Sequence, residues 1–255
     1  MRTFPPKRTP DIKEDWLLRS LKRSGMLPPY ETEAAIKQGR VRVNGKIQLL
    51  SMAPLRKGDQ VTLDRKPVDL SPPTLVLMFH KPFGAVTSNR EEKDGETVFS
   101  LLSAKLPRDL VNVGWHAVGR LDRNTTGLLL FTNDERVVAH VTSPETHLEK
   151  RYRVEVGGHL TDEALEPIRR GIELHDGEAR PARVVICGLH QLQLTLTEGR
   201  NHQAKRMLGA VGLPALKLHR EAIGTLELDI PVGEWRRLTE TEITKGLRWA
   251  ALPPA

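Results

Sequence analysis

The chain of 255 residues contains a single cysteine, Cys187, so it can form no intrachain disulfide and no metal site built from several thiolates, and it suits a reducing compartment. Val184, Val185 and Ile186 precede that cysteine, which predicts a buried strand position for it. No apolar run approaches the roughly 18 residues of a membrane helix, and the opening Met1-Arg-Thr-Phe-Pro-Pro-Lys-Arg8 lacks the apolar core of a secretion signal, so cytoplasmic residence is expected. Motifs for several chemistries are missing or broken. His219-Arg-Glu221 has the form of a zinc deaminase element, but one cysteine cannot supply its thiolate pair. Gly39 to Lys46 has five residues between its glycines and Ile47 where a phosphate loop needs Ser or Thr. There is no Gly-x-Ser-x-Gly and no tight histidine pair.

Positive charge is abundant but unevenly placed. The formal net charge is +7, and residues 1–70 hold 15 Lys and Arg against 8 Asp and Glu, leaving the remainder balanced. A basic amino-terminal module on a neutral body fits a polyanion, because Lys and Arg gain affinity from phosphates by releasing counterions. Residues 1–10 read as a proline-rich basic arm. Trp16 to Leu21 and Ala34 to Ile36 suggest two short helices. Val41 and Val43 alternate with Arg40 and Arg42 before the hairpin signal Asn44-Gly45 and Lys46. Three prolines within 67–73 mark a boundary, which predicts a small domain over 11–70 and a larger one over 74–248.

The larger domain reads as mostly strand with interspersed helices, an α+β fold. Leu75 to Phe79 and Leu128 to Phe131 are continuous apolar runs, as in strands buried on both faces. Tyr152, Val154 and Val156 alternate with charged residues, and so do Leu192, Leu194 and Leu196 with polar ones. After Glu198-Gly199-Arg200 the period becomes helical through Ala204, Met207, Leu208 and Val211, with Asn201 as the expected cap and Gly212 as the stop. A second helix is expected between Thr161 and Gly171, with Pro167 inside it.

One carboxylate stands apart. Asp122 sits in a polar turn directly before an apolar strand, between glycines 119 and 127, with Arg120 and Arg123 expected to keep it ionised. An isolated turn aspartate is ordinarily structural. Two further segments change the reading if they converge on it: Tyr152 on a strand, and the cations Arg200, His202, Lys205 and Arg206 at a helix start. Such a group suits a lone carboxylate acting on a substrate held by its phosphates and by stacking. His116 reads equally as a phosphate contact or a structural donor.

These segments together resemble the pseudouridine synthases, in the branch that acts on bacterial ribosomal RNA. Gly119-Arg-Leu-Asp122 followed by Thr126-Gly-Leu-Leu129 is similar to the nucleophile motif, Glu149-Lys-Arg-Tyr152 to the second motif, and Glu198-Gly-Arg-Asn-His-Gln-Ala-Lys-Arg-Met207 to the third. The resemblance covers nearly the whole chain. It implies a strand-rich catalytic domain with a mixed, mainly antiparallel sheet, plus a small amino-terminal RNA-binding domain of the ribosomal-protein type. In that domain Glu14-Asp-Trp-Leu17 and Tyr30-Glu-Thr32 depart from the familiar pattern.

The resemblance further implies an isomerase that converts uridine to pseudouridine without metal or cofactor. Asp122 would be the catalytic carboxylate, Tyr152 the stacking ring and Lys205 the partner of the aspartate. Arg120 would fill the gap left by the flipped base. RNA contacts are expected from Arg120, Arg123, Arg200, His202 and Arg206, and from Arg40, Arg42 and Lys46 in the small domain. The expected partner is ribosomal RNA, 16S first, or a pre-ribosomal particle, met by a monomer with no membrane association. The alternative is an RNA-binding ribosome-assembly factor that keeps the fold and has lost turnover.

Overall fold

The computed structural model describes residues 16–88 and 96–250, and the basic arm of residues 1–10 lies outside them. The described residues divide into two compact units, the first comprising 16–73 with 107–114, the second 74–88 and 96–106 with 115–250.

In the first unit, helix α1 (Leu17–Ser24) ends at Gly25, whose φ of 67° gives the left-handed turn that closes it. Helix α2 (Pro29–Lys37) opens with proline in its first turn, where the missing N–H has no helical partner to lose. Strands β1 (Val41–Val43) and β2 (Lys46–Ile47) are joined at Asn44 and Gly45, both at positive φ, as a two-residue hairpin turn requires. With β3 (Val61–Leu63) and β4 (Lys66–Pro67) they form an antiparallel sheet in the order β2-β1-β3-β4. Leu17, Leu21, Ile36, Val41, Val61 and Leu63 are its core.

The second unit is built on a nine-stranded sheet. Its strands are β5 (Val76–Lys81), β6 (His116–Val118), β7 (Thr125–Thr132), β8 (Lys150–Val156), β11 (Arg183–Gly188), β12 (Gln191–Leu196), β13 (Ala215–Ile223), β14 (Leu226–Glu227) and β15 (Trp235–Arg237). The main order is β11-β12-β8-β13-β7-β5-β15, with β6 beside β7 and β14 beside β13. Only β13 and β7 pair in parallel, so the sheet is mixed and mainly antiparallel. β9 (Ile172–Leu174) and β10 (Gly177–Ala179) form a separate hairpin. The helices are α3 (Val98–Ser103), α5 (Glu135–Thr142), α6 (Asp162–Arg170) and α7 (Gln203–Ala210); the short α4 (Arg108–Val111) clusters with the first unit.

The two apolar runs lie side by side in β5 and β7, where Leu77 to Phe79 and Leu128 to Phe131 are fully buried. Strand β8 buries one face, and β12 buries the same face along its length and Thr195 on the other. Val154, Leu192 and Leu194 pack with Leu165 and Ile168 of α6 and Met207 and Leu208 of α7. Pro167 is tolerated within α6 because the buried stripe of Leu165 and Ile168 anchors the helix around it. Cys187, expected to be buried, is exposed. It lies on β11 at the sheet edge, where Val185 and Ile186 are also open to solvent, because no element covers that part of the strand. Among the described residues, no helix is long and apolar enough to cross a membrane.

Candidate active site

The turn that carries Asp122 joins β6 to β7, and its backbone is held from several sides. Thr125 N–H donates to Asp122 O at 3.0 Å. Lys81, at the end of β5, is fully buried and its Nζ donates to Pro82 O (3.0 Å), Arg123 O (3.3 Å) and Thr125 O (2.9 Å). Thr87 Oγ1 donates to Leu121 O at 2.8 Å and accepts from Leu121 N at 3.3 Å. Burial pushes the Lys81 ammonium down to about 8, against the pull of the nearby Asp122 carboxylate. Three carbonyls replace the water that a buried ammonium gives up. Sequence reasoning missed both residues. The available signal was a lysine closing an otherwise apolar strand.

Gly127 explains how β7 can lie against β13. Its φ is +109°, and a Cβ there would stand 2.3 Å from Arg220 O and 2.6 Å from Arg220 N. Both contacts are with backbone, which cannot rotate away.

The third motif forms a tight turn between β12 and α7. Gln203 Oε1 accepts from Arg200 N at 3.0 Å, its Nε2 donates to the buried Glu198, and Glu198 Oε1 accepts from Arg180 N at 3.1 Å. Asn201 is not the cap of α7. That position belongs to His202, whose left-handed φ of 49° redirects the chain into the helix without a side-chain bond. The turn aims two donors at Asp122: Lys205 Nζ lies 2.7 Å from Oδ2, and His202 Nε2 lies 3.2 Å from Oδ1. Tyr152 on β8 and Leu218 on β13 line the same cavity as Asp122, Lys205, His202 and Arg120. Its volume is about 60 Å³, room for about two waters.

The other candidate residues divide by what they touch. Arg120 and Arg123 are exposed, and the ion pairs of Asp122 are with Lys205 and His202 instead, although Arg120 lines the same cavity. Arg200 and Arg206 both bind Asp176 in the β9–β10 turn and hold its carboxyl far below the ordinary range, Arg206 through Nη1 at 2.6 Å. The one carboxylate offsets one of the two positive charges, and the pair braces the hairpin against α7. In the first unit, Arg40 is paired with Asp64, Arg42 donates to Gly45 O at 2.9 Å, and Lys46 is exposed. His116 stands 3.9 Å from Glu135.

Residues 75–210 match the family model for RNA pseudouridylate synthase. The chain is 38% identical over 212 residues to ribosomal small subunit pseudouridine synthase A of Escherichia coli K12, covering 82% of this chain and 89% of that protein. It is 31% identical over 260 residues to ribosomal large subunit pseudouridine synthase B of Pasteurella multocida, covering 98% of this chain and 74% of the other. A crystal structure of a pseudouridylate synthase superposes with a TM-score of 0.64 at 31% identity, over 90% of this chain and 98% of that one. With the aspartate turn, the β8 tyrosine and the α7 lysine gathered on one sheet of matching fold, the chain belongs to the RNA pseudouridylate synthase family.

Proposed function

We propose that this protein isomerises a uridine of ribosomal RNA to pseudouridine, and that the RNA is 16S. The observation that carries the reading is the Asp122 carboxylate, bonded to Lys205 and 3.2 Å from His202 in a cavity lined by Tyr152. The small-subunit relatives supply the choice of 16S RNA.

The reaction breaks the bond from ribose C1′ to N1, turns the uracil, and joins C1′ to C5; C5 then gives up its proton to solvent while N1 takes one up, so that product and substrate are isomers. An ionised carboxylate serves either as nucleophile toward C1′ or as base toward the ribose. Lys205 bonds Asp122 Oδ2 while His202 stands 3.2 Å from Oδ1, so Oδ1 is the oxygen that meets the ribose. His202 is the side chain that yields: it is 56% exposed against 31% for Lys205, and its contact with the carboxylate is the longer. Lys205 stays on Oδ2 and fixes the carboxylate plane. Tyr152 stacks on the uracil, a contact worth about 1 to 3 kcal/mol.

The cavity of about 60 Å³ is smaller than a nucleoside and open to solvent, so a bound base extends beyond it toward the surrounding wall. Arg120 and His202 are the exposed side chains of its wall that can move. A paired uridine is reached by flipping, which costs about a few kcal/mol. Arg120, in the position that follows the base out, takes the vacated place. The basic first unit, with Lys46, Arg42 and Arg40 on its hairpin, holds the RNA backbone.

Pseudouridine mapping of 16S RNA from cells lacking the protein tests this reading. Loss of one site, restored by the wild-type chain and not by Asp122→Asn, supports it; an unchanged map refutes it. An assembly factor without turnover would restore ribosome assembly equally well with either chain.

A further inference from the structure

Arg120 lines a second, larger cavity besides the one that holds Asp122. This cleft has a volume of about 630 Å³, within the range of small-molecule sites. Thr87, Phe99, His116, Glu135 and Val138 contribute its other walls. Phe99 is half-buried and its ring is set edge-on against Phe131, with centroids 5.2 Å apart and an interplanar angle of 88°. Thr87 is the residue whose hydroxyl grips both polar groups of the Leu121 backbone, one position before Asp122. Arg120 makes no hydrogen bond or ion pair among the described residues.

The lining selects among ligands. A phosphate is disfavoured, because the cleft offers one arginine and its lining includes the Glu135 carboxylate. A nucleobase fits: Phe99 offers an apolar ring, Arg120 a planar cation, and Glu135 acceptor oxygens for an N–H edge. A carboxylate accepts at up to about four positions, so a neighbour such as His116 at 3.9 Å does not exhaust it. Guanine presents N1–H and its amino group side by side to a carboxylate. Uracil presents one N–H between two carbonyl oxygens, which a carboxylate repels.

We propose that this cleft binds a second base of the substrate RNA, a guanine adjoining the target uridine, with Arg120 as the partition between the two bases. The inference rests on the proposed function and adds to it a determinant of which uridine is chosen. The base in the cleft anchors the strand while its neighbour enters the Asp122 cavity. Because Thr87 ties the cleft wall to Leu121, the anchor and the catalytic turn form one rigid piece.

The test uses the full chain with 16S transcript labelled with tritium at uridine C5. If the wild type releases no tritium from any ribosomal RNA, the proposed function itself has failed and this inference falls with it. If it releases tritium, the target is mapped, and synthetic oligoribonucleotides spanning it carry guanine, inosine, uracil or an abasic residue on each side in turn. On one side, replacing guanine by the abasic residue should lower kcat/KM roughly tenfold, with inosine between the two. Glu135→Gln should lower it by a similar factor on the guanine substrate and not at all on the abasic one. A target flanked by uracil on both sides, an abasic series without effect, or losses that multiply between Glu135→Gln and the abasic substrate would each overturn the proposal. The abasic series needs no variant, so a folding defect in Glu135→Gln cannot mask the answer.

Discussion

Replacing Gly127 by alanine should separate the two strands on which the active site depends. The new Cβ would lie 2.3 Å from Arg220 O, where ordinary contact begins at 3.4 Å, so β7 and β13 must move apart by roughly 1 Å. The positive φ costs about 1 to 3 kcal/mol for a residue with a side chain. Stretching one or two bonds of the parallel ladder adds about 1 kcal/mol each. The expected loss is therefore about 2 to 5 kcal/mol in urea unfolding. Gly177→Ala is the control, because Gly177 has nearly the same φ, +102°, with nothing within 4 Å of its Cβ. It should lose only the backbone share, about 1 to 3 kcal/mol. Turnover by folded Gly127→Ala should also fall about 100-fold, since β7 leads from the Asp122 turn while β13 adjoins the Tyr152 strand, and a shift of about 1 Å is enough for that. If Gly127→Ala is as stable as Gly177→Ala, the close approach of these strands does not constrain the site and the reasoning fails.

Further outcomes follow from the same geometry. Lys205→Met should lower kcat by about 100-fold or more with little change in KM, as removal of one fixed electrostatic partner does; a loss confined to KM would make Lys205 a contact to phosphate instead. Arg120→Ala should slow single-turnover conversion of structured RNA more than that of an unpaired oligonucleotide, and equal effects on both would remove it from base extrusion. Lys150 is buried without a hydrogen-bond partner for Nζ, and burial with the nearby Arg220 pushes it down to about 8 from an ordinary 10.5. The unfolded chain therefore binds the extra proton between pH 8 and 10.5, and stability rises with pH across that window. Below pH 8 the buried ammonium costs up to about 3 kcal/mol, so Lys150→Met should raise the melting temperature at pH 7 and flatten the rise above pH 8. A lower melting temperature with an unchanged pH slope would contradict this.

Local pattern carried much of the fold because apolar periodicity reports burial directly. The runs in β5 and β7, the alternation in β8 and β12 and the helical period of α7 are all present in the structure. The pattern failed where burial depends on distant cover. Cys187 follows three apolar residues, yet the sheet ends at its strand, and no local signal reveals an edge. Asp122, Tyr152 and Lys205 were legible as separate motifs, and folding brings them to one cavity. The partners of the charges were not legible. Arg120 and Arg123 adjoin Asp122 in sequence, yet its ion pairs are with His202 and Lys205, 80 and 83 positions later. That Arg200 and Arg206 share Asp176 of the β9–β10 turn was not legible either, because that partner lies 24 and 30 positions away. Lys81 and Thr87 were invisible because their targets are backbone carbonyl and amide groups, which every residue possesses.

The central claim is that the Asp122 carboxylate performs the chemistry in a site otherwise left intact by its removal. Tritium release from C5-labelled 16S transcript, measured alongside RNA binding for wild type and Asp122→Asn, tests it most directly. The account requires release by the wild type, none above background by Asp122→Asn, and RNA affinity within a few-fold of each other. Release by Asp122→Asn at the wild-type rate would contradict it.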